Sequence, residues 1–309
     1  MEIENTIIIG SGPAGYASAI YLARAMLKPL MISGILYGGQ LMQTSDIENF
    51  PGVNAIRGEE LMKIMHEQAT LFGTRFLTGD VVSIDTETRP FTVLTSNGIT
   101  IISHSIIIAT GAKPLWLNIE GEHKIKGNGL STCATCDGIF FKNQEIIVVG
   151  GGDSAFEEAI FLSRYASKVT IVHRRNKFKA SRIMVERAIE HGVEFKVNFK
   201  VVEWKTDEDN VLTGAVLEST LNGESELINI QGAFIAIGHH PNTEFLRGKI
   251  KLDDDGYIIV DRSSMTSVNG IFAGGDCVDK VYRQAITSAG MGCASALDCI
   301  KWLENNKFK

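Results

Sequence analysis

Cys133 and Cys136 are separated by two residues and followed at once by Asp137, which makes this the most chemically suggestive stretch of the chain. That spacing permits a small disulfide that can open and close, and the adjoining carboxyl can shuttle a proton during the cycle. A zinc half-site is the competing use of such a pair. A closed zinc site takes four ligands, however, and Cys277, Cys293 and Cys299 supply no second close pair. Those three read as small buried hydrophobes. The histidines are scattered, and His239-His240 beside Pro241 reads as a loop feature, not a catalytic base.

Two glycine turns flank the cysteine pair in the sequence. The apolar run Asn5 to Ile9 enters Gly10-Ser11-Gly12-Pro13-Ala14-Gly15 and then a helical pattern from Tyr16 to Met26. The order recurs at Glu145 to Val149, Gly150-Gly151-Gly152-Asp153-Ser154-Ala155 and Phe156 to Tyr165, with alanine as the third small residue. Strand, glycine turn and helix together bring backbone close to a pyrophosphate, which sits at the positive end of the helix. The first unit returns to a strand ending in Ser33-Gly34, without the acidic ribose contact of many NAD sites. The second returns to a strand ending in His173-Arg174-Arg175, where a guanidinium can pair with a 2′-phosphate, so this unit reads as NADPH-binding.

The elements that must position these residues are those of an α/β chain with two Rossmann-like nucleotide-binding domains. Residues 58–73 show apolar spacing of a helix, and 81–102 read as short strands with turns. Apolar strands at 106–108 and 233–237 run out into glycine and mark crossings between domains. Beyond 245 the pattern offers a strand at 257–260, another at 270–273 and a helix from Gln284 to Leu303 that completes the first domain. The organisation expected is therefore 1–115 and 246–309 as one discontinuous domain, with 116–245 inserted into it and free to move on two linkers.

The formal net charge of -6 argues against sequence-independent attraction to nucleic acid or anionic lipid. The uncharged stretch Asn5 to Ala23 is interrupted by Gly10, Gly12, Pro13 and Gly15, so it reads as strand, turn and helix and not as a membrane or signal segment. Five cysteines with one close pair fit a reducing, cytoplasmic setting better than a disulfide framework.

Taken together, these residues resemble the low-molecular-weight thioredoxin reductase family, and the likeness runs through nearly the whole chain. It is carried by Gly10 to Gly15, Gly38-Gly39-Gln40-Leu41, Glu48 to Gly52, Ala109-Thr110-Gly111, Cys133 to Gly138, Gly150 to Ala155, His173 to Arg175, Gly238 to Asn242, Gly275-Asp276 and Tyr282 to Ala285. The resemblance implies FAD held by Gly10, Gly12, Pro13, Ala14, Gly15, the stretch from Ser33 through Gly39, Gln40 and Leu41, and Asn49, Asp276, Arg283, Gln284 and Ala285. It implies NADPH held by Gly152, Asp153, Ser154, Arg174, Arg175 and Lys179, the last standing where the family carries arginine. It further implies Cys136 facing the flavin, Cys133 attacking the substrate disulfide, Asp137 transferring a proton, and thioredoxin as the partner of a homodimer. With dithiol and nicotinamide on one inserted domain, that domain would rotate between two arrangements.

The function expected is thus thioredoxin-disulfide reduction, with electrons passing from NADPH through FAD and the Cys133/Cys136 disulfide. The alternatives are an NADPH-dependent flavin reductase serving another disulfide protein or ferredoxin and quinone acceptors, or a nonenzymatic nucleotide sensor.

Overall fold

The computed structural model describes residues 3–35, 37–43 and 46–306, and the chain within it divides into two units: Met1–Lys113 with His240–Lys309, and Pro114–His239. The crossing segments Ala112–Pro114 and His239–Pro241 pair with each other as short strands.

In the discontinuous unit the sheet runs Arg75–Leu77, Leu30–Ile32, Ile3–Ile9, Thr100–Ile108, Phe91–Thr95, Val81–Asp85. Thr100–Ile108 is long enough to serve two neighbours on one edge. Its first half pairs antiparallel with Phe91–Thr95 and its last three residues pair parallel with Ile271–Ala273. Ile7 to Ile9 and Ile106 to Ile108 are all buried, as expected where helices and loops cover both faces of a parallel sheet. Helix Pro13–Arg24 opens on proline, whose fixed φ suits the first turn. It packs against helix Ala285–Asn306 so closely that a Cβ on Gly292 would lie 2.0 Å from the Ala14 carbonyl oxygen.

The continuous unit holds five parallel strands in the order Leu130–Ser131, Gly232–Ala236, Glu145–Gly150, Lys168–His173, Glu194–Val197. Helices Asp153–Leu162 and Arg182–Glu190 contribute Phe156 and Ala188 to the core on one face, around Val148, Ile171 and Phe234. A separate antiparallel sheet, Phe199–Thr206, Leu212–Ser219 and Ser225–Asn229, supplies Trp204 and Leu217 to a second core with Ile147, Val149 and Ile235.

Two sequence expectations need correction: His239-His240, read as a loop feature, lies on the short strand His239–Pro241, and the strand expected at 257–260 is absent. One bridge, Leu252 to Ile258, is formed there, because the Asp253 carboxylate draws the N–H groups of Asp255 and Tyr257 into a tight turn. The antiparallel sheet after residue 198 escaped the sequence reading, because register shifts at Val201/Glu203 and Lys205/Thr206 break the two-residue alternation that marks a strand.

Candidate active site

Cys133 and Cys136 are joined as a disulfide, with Cα atoms 5.3 Å apart. The pair follows the carboxyl end of edge strand Leu130–Ser131, and Cys133 precedes the short helix Ala134–Asp137 as its N-cap residue. Its carbonyl accepts from the N–H groups of Cys136 at 3.3 Å and Asp137 at 3.1 Å, which curls the chain so that the two sulfurs meet. Gly138 then packs on Phe161 and Leu162 of helix Asp153–Leu162, where a Cβ would lie 3.0 Å from a Leu162 methyl carbon. Ser131 ties the turn together: its hydroxyl accepts from the Cys133 N–H at 3.0 Å and donates to the Asp137 carboxylate. Burial raises the Asp137 pKa above the ordinary carboxylate value, and the Ser131 bond opposes that rise. The turn thus places a disulfide beside a carboxyl biased toward its protonated form.

The second glycine turn opens at the same end of this sheet, since strand Glu145–Gly150 runs parallel to Gly232–Ala236, and that strand to Leu130–Ser131. A Cβ on Gly151 would lie 2.3 Å from Nδ1 of His173, whereas one on Gly152 would meet nothing within 4 Å. Helix Asp153–Leu162 has no side-chain cap. Open space at the middle of the turn and an uncapped N-terminus form a cradle that fits a pyrophosphate. Ser154 is exposed at this mouth, while Asp153 is turned onto Ser181, whose N–H and hydroxyl it accepts at 2.7 and 2.9 Å. Arg174, Arg175 and Lys179 are exposed on the segment after strand Lys168–His173 and form no ion pair among the described residues, which suits a phosphate ligand. Carboxyl strand ends in one parallel sheet thus gather the disulfide, the glycine turn and the basic segment.

In the discontinuous unit the first glycine turn is tighter. Gly10 has φ of +109°, and a Cβ there would lie 2.3 Å from the Ala109 carbonyl oxygen; one on Gly15 would lie 2.0 Å from that of Gly10. Gly12 faces open space, Pro13 and Ala14 begin a helix without a side-chain cap, and a Cβ on Gly39 would lie 3.4 Å from the Gly12 Cα. This too is a cradle that fits a pyrophosphate. Ser11 organises its rim, donating to the Ser33 carbonyl at 2.6 Å and accepting from Gly38 N–H at 2.9 Å. Gln40 and Leu41 lie on the 3-10 turn Gly39–Gln43; Leu36, within the stretch from Ser33 to Leu41, lies outside the described residues.

Asp276 follows strand Ile271–Ala273 and is drawn to the same end of the sheet, because its neighbour Gly275 packs on the Ala14 side chain. Its carboxylate accepts from Ser288 Oγ at 2.5 Å, and burial raises its pKa. Asn49 donates to Gln284 Oε1 at 3.3 Å, and Arg283 N–H is held by Asp279 at 3.2 Å just before Ala285 begins the last helix. The residues that sequence reasoning missed are the serines: Ser11, Ser131, Ser181 and Ser288. Each holds an assigned residue or turn through its hydroxyl, and serine carries no spacing signal in a single sequence.

A family model described as pyridine nucleotide-disulphide oxidoreductase matches residues 4–292. The chain belongs to that family. Within it, a thioredoxin reductase of Mycolicibacterium smegmatis is 47% identical over 304 residues, covering 97% of each chain. A bifunctional thioredoxin reductase/thioredoxin of Mycobacterium leprae (strain TN) is also 47% identical over 304 residues, which are 97% of this chain and 66% of that one. Among solved structures, thioredoxin reductase from Giardia duodenalis has a TM-score of 0.93 at 39% identity, covering 98% of this chain and 100% of its own. As a pyridine nucleotide-disulphide oxidoreductase, the chain is an enzyme that works with flavin and nicotinamide cofactors. Among the described residues no helix is long and apolar enough to cross a membrane, and no cluster of His, Cys, Asp and Glu could hold a metal ion.

Proposed function

We propose that this oxidoreductase is an NADPH-dependent thioredoxin-disulfide reductase, with FAD between the nicotinamide and the Cys133–Cys136 disulfide. The observation that carries the reading is that disulfide itself, placed beside a half-buried carboxyl at the mouth of a parallel sheet. The bound cofactors would supply hydride transfer and storage of an electron pair.

The chain's own residues do the rest. Gly10 to Gly15, Ser33, Gly39 to Leu41, Asn49, Asp276 and Arg283 to Ala285 hold FAD in the discontinuous domain. Gly152, Ser154, Arg174, Arg175 and Lys179 hold NADPH in the inserted one, the basic side chains selecting the 2′-phosphate. Two electrons and two protons convert the Cys133–Cys136 disulfide to a dithiol, with Cys136 facing the flavin and Asp137 supplying a proton. The Cys133 thiolate then attacks the disulfide of oxidised thioredoxin, and a mixed disulfide forms as one substrate sulfur leaves. Cys136 thiolate attacks Cys133 in turn, which restores the internal disulfide and releases reduced thioredoxin.

The likeness to a protein named as reductase and thioredoxin in one chain supports thioredoxin as the acceptor. A homodimer and a cytoplasmic setting complete the reading. The test is NADPH oxidation by the FAD-loaded protein with oxidised thioredoxin, a glutaredoxin, ferredoxin and a quinone as alternative acceptors, with NADH in parallel. Turnover with thioredoxin and NADPH, well above the other acceptors, is the expected result; faster turnover with ferredoxin or a quinone would replace the reading with a general flavin reductase.

A further inference from the structure

Asp153 opens the helix that follows the second glycine turn, where a bound pyrophosphate would set a carboxylate against an anion. Its Oδ1 points instead to Ser181, accepting from both N–H and Oγ. Ser181 is the N-cap residue of helix Arg182–Glu190, yet its hydroxyl does not cap that helix, which is the usual service of serine at this position. The hydroxyl is given to Asp153.

Between the two lies the basic segment 174–180, and its backbone is held along most of its length. The Arg174 carbonyl accepts from Thr220 Oγ1 at 3.1 Å and that of Arg175 from Asn198 N–H at 3.3 Å. Lys177 O lies 3.1 Å from His173 Nε2, and the Phe178 ring packs 4.9 Å from Phe156 and 5.4 Å from Phe195. Lys179 and Ala180 N–H both donate to Gly151 O, at 2.7 and 3.0 Å. The segment is fixed while its cationic side chains stay exposed, which is the condition for an anion site formed before its ligand arrives.

We propose that Asp153 is a positioning residue for 2′-phosphate selection and not a nucleotide contact: by latching Ser181 it fixes the end of segment 174–180 and so the reach of Lys179, while Arg174 and Arg175 are held from the other end. The proposal rests on the NADPH reading above. Removing the latch frees the Ser181 end and leaves Lys179 to be ordered at the ligand's cost.

The experiment is calorimetric titration of the FAD-loaded protein with 2′,5′-ADP and with 5′-AMP, which differ by the 2′-phosphate. Wild-type protein is expected to prefer 2′,5′-ADP; equal affinities would overturn the NADPH reading and this proposal with it. Given that preference, Asp153→Ala is expected to weaken 2′,5′-ADP by about tenfold and 5′-AMP by less than about twofold. Ser181→Ala, which removes one of two donors, falls between, and Asp153→Asn, which keeps an acceptor oxygen, recovers most of the loss. Asp153→Ala binding 2′,5′-ADP as tightly as wild type, or losing both ligands alike, would overturn the positioning role while leaving the NADPH reading intact.

Discussion

Ser131 donates its hydroxyl to the Asp137 carboxylate while accepting from the N–H of Cys133, so one side chain sets both the acid and the start of the disulfide turn. Burial raises the Asp137 pKa, and a donor to the carboxylate lowers it. Ser131→Ala removes the opposing influence, so Asp137 holds its proton to higher pH. Carbon NMR of the labelled Asp137 carboxyl should show its titration moved to alkaline pH, and any alkaline limb of turnover set by Asp137 should move with it. Lower turnover with an unmoved titration would make Ser131 a structural residue only. Leaving the Cys133 N–H without its acceptor should also cost about 1–2 kcal/mol of stability.

The two glycine turns separate stability from binding. Gly15→Ala would push a Cβ to 2.0 Å from a carbonyl oxygen and should destabilise the protein by about 2–3 kcal/mol. Gly12→Ala meets nothing within 4 Å in the protein, so the apoprotein should keep its melting temperature while losing flavin. Thermal denaturation of apoprotein beside the flavin absorbance of purified protein checks both. An apoprotein equally damaged by the two substitutions would mean that the space at Gly12 is not a ligand cradle.

How much of this was legible in the sequence follows from what kind of signal each part leaves. The isoleucine run ending at Gly10 and the isoleucine-valine run ending at Gly150 show strand, turn and helix because burial on both faces and a close backbone approach restrict residue type at fixed spacing. The cysteine pair and the Arg174-Arg175 step are equally plain. The serines that hold Asp137, Asp153 and Asp276 are not, since a hydroxyl can bond almost anywhere and only the folded chain decides where. Asp153 is an example: the resemblance implies a cofactor contact there, and the bond its carboxylate accepts from Ser181, 28 residues away, leaves no mark in the sequence.

Asp276 carries a pKa raised chiefly by burial, against the pull of its Ser288 bond. A carboxyl raised in the folded state binds more protons there than when unfolded, so it favours the fold at low pH and loses that contribution as pH rises through the raised value. Asp276→Asn carries no charge to bury. Its apoprotein should therefore melt higher than wild type above the raised value, with the advantage shrinking as pH falls toward about 4. A melting-temperature difference that does not change with pH would show that the buried charge is not its source.

Cys277 and Cys299 have thiol pKa values pushed up to about 11 by burial. At pH 8 only about one part in a thousand of either would be thiolate. After reduction with a thiol reagent, iodoacetamide should label Cys133 and Cys136 in the native protein and leave Cys277 and Cys299 unlabelled until denaturation. Peptide mass spectrometry reads this directly, and early labelling of Cys277 would contradict its burial.

The most direct test of the electron route is an anaerobic reductive titration of the FAD-loaded protein, following flavin absorbance as reductant is added. If the Cys133–Cys136 disulfide exchanges electrons with the flavin, wild-type protein takes up about four electron equivalents, two for the flavin and two for the disulfide, and Cys136→Ser about two. Wild type and Cys136→Ser consuming the same two equivalents would contradict the account, because the disulfide would then lie off the electron path.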